Sequence, residues 1–242
     1  MTNLGSNEKS RPEGKLYIVA TPIGNLEDLT IRALKVLNKI NFIACEDTRQ
    51  TRKLLNKYKI KKELISYFHP REHQKTAKII GLLLEGKDVA LVSDAGTPGL
   101  SDPGYPLIKE AINKGIRIIP LPGASALTAA LPASGLATHR FFFLGFPPAK
   151  KEASKKLLDS LRSERGTLVF YLPTRRLNSF LKLIMEVIGN RQVVIARELT
   201  KVYEEFLRGT ASELLEQIKD KRIRGEATVL IEGSKKRVKS KE

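Results

Sequence analysis

The chain has 242 residues, enough for one large α/β domain or two small ones, and its 41% hydrophobic content is that of an ordinary globular protein. No apolar run nears the roughly 18 residues that cross a bilayer, the polar start has no signal-peptide core, and one cysteine excludes an internal disulfide or a zinc-type cysteine cluster. Those features lead to the expectation of a cytoplasmic protein, and 43 lysines and arginines against 26 acidic residues, a formal charge of +17, point to a polyanionic partner, nucleic acid first, or to a lysine-rich surface serving solubility.

In chain order, Met1 to Gly14 is polar and charged and is expected to be disordered. Leu16 to Ala20, Asn41 to Cys45, Leu64 to Tyr67, Asp88 to Val92 and Ile116 to Leu121 read as buried strands. Between them Thr30 to Lys39, Thr48 to Tyr58, Arg71 to Glu85 and Pro103 to Lys114 read as helices. This alternation predicts an N-terminal α/β domain over residues 15–121, its mainly parallel sheet covered on both faces. A small-residue helix from Ala124 to Ala133, a strand from Arg140 to Leu144 and a basic helix from Lys150 to Arg165 follow. Further strands are expected at Thr167 to Leu172, Gln192 to Ala196, Tyr203 to Arg208 and Ala227 to Glu232, with helices at Arg176 to Ile188 and Thr210 to Lys219. They predict a second α/β domain over residues 122–233 with a mixed sheet, then a basic, disordered tail over residues 234–242.

In parallel sheets ligands bind outside the carboxyl ends of the strands, so the loops after strands carry the chemistry. Four are unusual: Ala20-Thr-Pro-Ile-Gly-Asn25, Cys45-Glu-Asp-Thr-Arg49, Ser93 to Gly104 (SDAGTPGLSDPG), and Pro120 to Ala126. In the third, Gly96, Gly99 and Gly104 let a ligand approach backbone groups or let the chain take positive φ, while Asp94 and Asp102 can accept hydrogen bonds from an ammonium or from ribose hydroxyls. Turn chemistry also accounts for part of this stretch, with Asp102 capping a helix that Pro103 begins. In the second, Asp47 or Thr48 can cap a helix, or Glu46 and Asp47 can hydrogen-bond a hydroxyl substrate while Arg49 grips a phosphate. No G-x-G-x-x-G follows the first strand and no P-loop is present, which demotes nicotinamide dehydrogenases and nucleotide triphosphatases. His69 and His73 have a metal-pair spacing, but Pro70 extends the chain at His69 and no third ligand stands near. The Lys150/Lys151/Lys155/Lys156 cluster and Arg162, Arg165, Arg175 and Arg176 are either solvated faces or phosphate contacts.

The segments GKLYIVATPIGNLEDLTIRAL, ACEDTRQTRKLL, VALVSDAGTPGLSDPGYPLI, IIPLPGASALTAAL, ARELTKVYEEFLRG and GEATVLIEG together resemble the tetrapyrrole methylase superfamily, in its branch of bacterial small-subunit ribosomal RNA cytidine 2′-O-methyltransferases. They run from Gly14 to Gly233, and the opening A-T-P-I-G-N-L is a mild variation on that branch. The resemblance implies two α/β domains with S-adenosylmethionine in the cleft between them, usually in a homodimer. Carried over by motif, Pro22, Asp94, Ala95, Gly96, Thr97, Leu100, Ser125 and Ala126 would meet the cofactor, with Tyr171, Leu172 and Leu199 closing the adenosine. It further implies ribosomal RNA or the small ribosomal subunit as partner. Methyl transfer from a sulfonium to a hydroxyl needs positioning and a proton acceptor but no metal. Glu46 or Asp47 is the first candidate base, with Arg49 on an adjacent phosphate, and Glu198 beside Arg197 is the second. The rivals are a precorrin or uroporphyrinogen C-methyltransferase and a non-catalytic RNA-binding assembly factor. E-D-T-R and S-D-A-G-T-P favour RNA over the first, and cofactor binding separates the second.

Overall fold

A computed structural model describes residues 14–68, 72–219, 223 and 225–235. Most of the N-terminal segment, the end of the basic tail, His69 and the side chain of His73 lie outside the described residues. The chain forms two compact units, one comprising residues up to Pro22 with Leu26–Ala124, the other Ile23–Asn25 with the chain from Ser125 onward.

The first unit is a five-stranded sheet of β1 (Leu16–Val19), β2 (Phe42–Cys45), β3 (Glu63–Ser66), β4 (Val89–Val92) and β5 (Ile118–Leu121), in the order β3-β2-β4-β1-β5. All four pairings are parallel. Short continuous apolar runs such as Val89–Val92 suit this position, since every residue is covered on one face or the other. The helices are α1 (Ile31–Lys39), α2 (Thr48–Lys57), α3 (Glu72–Leu84) and α4 (Tyr105–Asn113).

Connection handedness distributes these helices. β1 to β2 to β3 steps one way across the sheet, and β3 to β4 to β5 steps back. Right-handed crossovers therefore put α1 and α2 on one face and α3 and α4 on the other. The core divides accordingly: Ala33, Leu37 and Leu55 pack with Val19, Ile43 and Val92, whereas Ile79, Leu83, Leu107 and Ala111 pack with Leu16, Val89 and Leu91. β1 and β4 are neighbours whose onward connections leave for opposite faces, and their carboxyl ends mark the topological position where such sheets bind ligands.

The second unit holds α5 (Ala126–Ala133), β6 (Phe141–Phe143), α6 (Lys151–Ser160), β7 (Thr167–Pro173), α7 (Leu177–Ile188), β8 (Gln192–Arg197), β9 (Glu205–Thr210), α8 (Ala211–Ile218) and β10 (Glu226–Ile231). Its sheet runs β6-β7-β10-β8-β9, parallel at the first pair and antiparallel at the rest, the mixed sheet expected from the sequence. Phe180, Leu181 and Ile184 of α7 seal one face over Leu168, Phe170, Val193 and Ile195.

Among the boundaries that differ from expectation, three have a local cause. The basic helix stops at Ser160, five residues early, because Leu161 and Arg162 close turns onto Leu158 and Asp159. β9 starts two residues late, since Glu198 and Thr200 take positive φ (50° and 65°) and hold the preceding loop out of the sheet. Nor is Asp102 a helix cap: α4 begins at Tyr105, Gly104 occupies the cap position with φ 148°, and Pro106 sits in the first turn.

Candidate active site

At the carboxyl edge of the first sheet the four loops anticipated from sequence emerge in the spatial order of β2, β4, β1 and β5, and hydrogen bonds tie the β4 loop to each of the other three. From β2 to β4, the Asp47 amide donates to Asp94 Oδ1 at 3.0 Å. From β4 to β1, Thr21 and Gly96 exchange both backbone bonds, at 2.9 and 3.0 Å. Thr21 Oγ1 also reaches the Ser93 carbonyl at 3.0 Å, and Ser93 Oγ donates to Gly96 O at 3.1 Å. Thr97 Oγ1 then donates to the Ala124 carbonyl at 3.2 Å, reaching the β5 loop. A side chain at Gly123 would place its Cβ 2.8 Å from that of Ala20, so glycine lets the β1 and β5 loops close up.

This interlock corrects one expectation and sharpens another. Gly96 does not offer its backbone to a ligand, because both its N–H and its C=O are consumed by Thr21 and Ser93. Its glycine character is conformational, set by φ 93°. Asp94 and Ala95, by contrast, are exposed at the tip of the loop, Thr97 and Leu100 are half-buried, and Pro22 is buried.

The far end of the SDAGTPGLSDPG loop is held by a residue that sequence reasoning missed. Glu72, at the first position of α3, is 9% exposed and its Oε1 accepts the Gly104 amide at 3.0 Å. A carboxylate thus satisfies the α4 N-terminus from another helix, in place of the local cap expected of Asp102. The separation of 32 residues hides this from any local pattern. Replacing Glu72 by alanine is expected to strand the Gly104 amide and cost about 1–3 kcal/mol, with glutamine recovering most of it; urea unfolding of both variants measures this.

The three candidates in the β2 loop separate by electrostatics. Asp47 caps α2, accepting the Arg49 amide at 2.8 Å, and pairs with the Arg49 guanidinium at 2.7 Å. That hydrogen bonding holds its carboxyl down at about 2, which makes it a poor proton acceptor. Arg49, with a side chain 86% exposed, is committed to Asp47, and no ligand is needed to explain it. Glu46 is the opposite case. It is half-buried, and burial first, then the negative charges of Asp94, Asp102, Asp47 and Glu72, push its carboxyl up. Asp94, though exposed as a residue, is also raised, by partial desolvation of its carboxyl and then by the charge of Asp47, against the lowering effect of the bond from the Asp47 amide.

In the second unit, Ser125 precedes α5 at its cap position, is buried, and its Oγ has no hydrogen-bond partner among the described residues. Such an atom fits a cofactor's polar group, while Ala126 opens the helix beside it. Tyr171 is half-buried, its hydroxyl accepting the Leu127 amide at 3.1 Å and its ring edge-on to Phe143 at 4.9 Å. Leu172 is fully buried in the hydrophobic core, so its side chain is unavailable to any ligand and only its backbone remains. Leu199 is 8% exposed in a loop built on the two positive-φ residues, with Glu198 paired to Lys201 at 3.1 Å. Thr200, also absent from the sequence candidates, accepts the Asn25 amide through Oγ1 at 3.0 Å. A side chain on Gly24 would strike the Leu199 carbonyl at 2.7 Å, so the Ile23–Asn25 excursion is fitted to this loop. Arg197, neighbour of the second candidate base, is paired with Glu205 at 2.7 Å. Among the described residues no cluster of three or more metal-ligating side chains occurs.

The chain matches the family model Tetrapyrrole (Corrin/Porphyrin) Methylases over residues 15–215. Two relatives are named ribosomal RNA small subunit methyltransferase I. The Thermotoga maritima protein is 50% identical over 220 residues, covering 91% of this chain and 99% of that one. Its Halalkalibacterium halodurans counterpart is 46% identical over 237 residues, covering 98% and 82%. A solved uroporphyrin-III-C-methyltransferase from Thermus thermophilus has a TM-score of 0.64 at 22% identity, covering 90% of this chain and 94% of that one, a likeness of fold alone. The family match spans both units and the relatives extend over nearly the whole chain, so the protein belongs to the tetrapyrrole methylase family.

Proposed function

We propose that this chain transfers a methyl group from S-adenosylmethionine to the ribose 2′-hydroxyl of a cytidine in small-subunit ribosomal RNA. The observation that carries the reading is identity of 46–50% along nearly the whole chain to relatives named for ribosomal RNA, against 22% to a tetrapyrrole methylase that shares the fold. The +17 charge agrees with an RNA substrate.

The first unit supplies Asp94, Ala95 and Thr97 as cofactor contacts on a loop already fixed at Thr21, Ala124 and Glu72. Ser125 Oγ, buried and unpartnered, offers a further polar contact. Contributions from Pro22, Leu100, Ala126, Tyr171, Leu199 and the Leu172 backbone rest on the family resemblance, as does a homodimer. S-adenosylmethionine supplies a methyl group already activated by its sulfonium. What this chain must add is alignment, which can be worth roughly 7–11 kcal/mol, and an acceptor for the hydroxyl proton. Glu46 is that acceptor in this reading, because burial, and then the neighbouring carboxylates, raise its proton affinity while Arg49 lowers that of Asp47.

The test is incubation with methyl-labelled S-adenosylmethionine and, separately, undermethylated small subunits and naked ribosomal RNA, followed by mapping of the labelled nucleotide. Label on the ribose of a cytidine supports the proposal. Label on a base, or transfer to uroporphyrinogen but not to either RNA substrate, defeats it.

A further inference from the structure

The loop edge proposed as the active site brings the charges of Asp47, Asp94, Asp102 and Glu72 to bear on Glu46. Such an edge repels a polyanion, so attraction for RNA phosphates has to come from other parts of the surface. In the second unit, a cavity of about 390 Å³ opens where α7 turns into β8 beside the chain leaving β10. Three cations line it, Arg162, Arg191 and Lys235, against one carboxylate in the lining, Glu232, while Arg162 also pairs with Asp159 at 2.9 Å.

Arg191 is unusual among them. Its Nε donates to Ile188 O at 3.1 Å, Nη1 to Glu232 O at 3.3 Å and Nη2 to Arg162 O at 2.6 Å. Neutral carbonyls therefore orient a guanidinium that stays charged, and two of its five N–H groups have no partner among the described residues. Burial, more than the like charge of Arg162, lowers its pKa, with Glu232 acting in the other direction. A partly desolvated cation without a direct ion pair gains from a bound anion. Glu232 does not fill that role, because its carboxylate is bound by Lys235 at 3.1 Å. Beside Arg191, the space where a Cβ would stand on Gly189 is open, with no atom of the described residues within 4 Å. The sequence continues from Lys235 with Lys236, Arg237, Lys239 and Lys241, so positive charge accumulates along the chain on from this rim.

We infer that the cavity lined by Arg162, Arg191 and Lys235 is an auxiliary site for an RNA backbone phosphate, separate from the residues that perform methyl transfer. It rests on the RNA substrate proposed above. The site reads no sequence; it adds affinity and orientation through charge-assisted hydrogen bonds, and its contribution weakens with salt.

The experiment measures binding of a labelled single-stranded RNA by fluorescence anisotropy across a salt series. Wild type is compared with the R162E/K235E variant and the milder R162Q/K235Q. Arg191 is left intact because its three carbonyl contacts are structural, and Arg162 bonds it only through backbone. The expected result is at least a tenfold loss of RNA affinity for the charge reversal, a smaller loss for the neutral pair, and a salt slope shallower by about 1 or more. S-adenosylmethionine affinity should stay within twofold and the melting temperature within a few degrees. Unchanged RNA affinity and salt slope in both variants overturn the inference. So does competition by inorganic phosphate, at matched ionic strength, that protects Lys235 from acylation while leaving RNA binding untouched, since that marks a small-anion site. Wild-type chain that binds RNA through these residues yet methylates neither subunits nor rRNA sinks the proposed function and leaves this site standing. Full methylation with an unaltered KM for RNA in R162E/K235E does the reverse.

Discussion

Replacing Glu46 by glutamine should slow methyl transfer by about 10²–10⁴-fold, the usual worth of a positioned general base, while S-adenosylmethionine binding stays within a few-fold of wild type. Its direction on stability is opposite. The folded protein raises the Glu46 pKa, so around and above that pKa the native state holds an ionised group in surroundings that disfavour it. Between the ordinary glutamate pKa and the raised one, the native state binds more proton than the unfolded chain, and stability falls as pH rises through that window. Glu46→Gln removes this penalty, so at neutral pH the variant should melt no lower than wild type. The rate has the matching profile: wild-type activity falls as pH drops through the raised pKa, and residual activity of the variant does not follow that limb. Asp47→Asn is the contrast. It takes away the partner of Arg49 and replaces a charged cap by a neutral one, so its effect belongs to folding near the start of α2 and not to the pH profile. A single-turnover rate for Glu46→Gln within a few-fold of wild type would exclude this residue as the base.

The raised carboxyl of Glu46 depends on burial and on charges brought in from other loops, and the site as a whole divides in the same way between what is local in sequence and what is not. The loops are legible because their signals are local: glycines and prolines after a buried apolar run mark a ligand-approach loop, and a parallel sheet brings all such loops to one edge. Assigning Asp47 to a cap is equally local, since its bond to the Arg49 amide spans two residues. What cannot be read is anything requiring the register between distant segments. The pairing of Thr21 with Gly96 depends on β1 lying beside β4, and the grip of Glu72 on Gly104 depends on how α3 packs against α4. Leu172 shows the same limit from the other side. The motif that carries it looks like ligand contact, but strand alternation turns Leu172 into the core and leaves Tyr171 half-exposed on the opposite face.

A leucine at Gly96 should impair folding and cofactor binding together. At φ 93° any other residue is strained by about 1–2 kcal/mol. The position is also buried, and its N–H and C=O form the bridge to Thr21, with Ser93 Oγ as a further donor to the same carbonyl. A leucine that turns the peptide to escape the strain breaks those bonds, at about 1–3 kcal/mol for each buried group left without a partner. Retaining the bonds keeps the strain. The first route loses several kcal/mol and the second at least the strain of about 1–2 kcal/mol, in either case a sizeable share of a domain's stability. Cofactor affinity should fall too, because this bridge, together with the Thr97–Ala124 and Asp47–Asp94 bonds, sets the positions of Asp94, Ala95 and Thr97. Gly96→Ala separates the two effects: it carries the backbone strain with a single added methyl group, so it should fold at low temperature with a measurable loss of stability. Calorimetric titration of that folded variant with S-adenosylmethionine then reads the loop alone. Wild-type affinity in Gly96→Ala, together with a wild-type urea midpoint in Gly96→Leu, would show that the bridge neither supports the loop nor prepares the site.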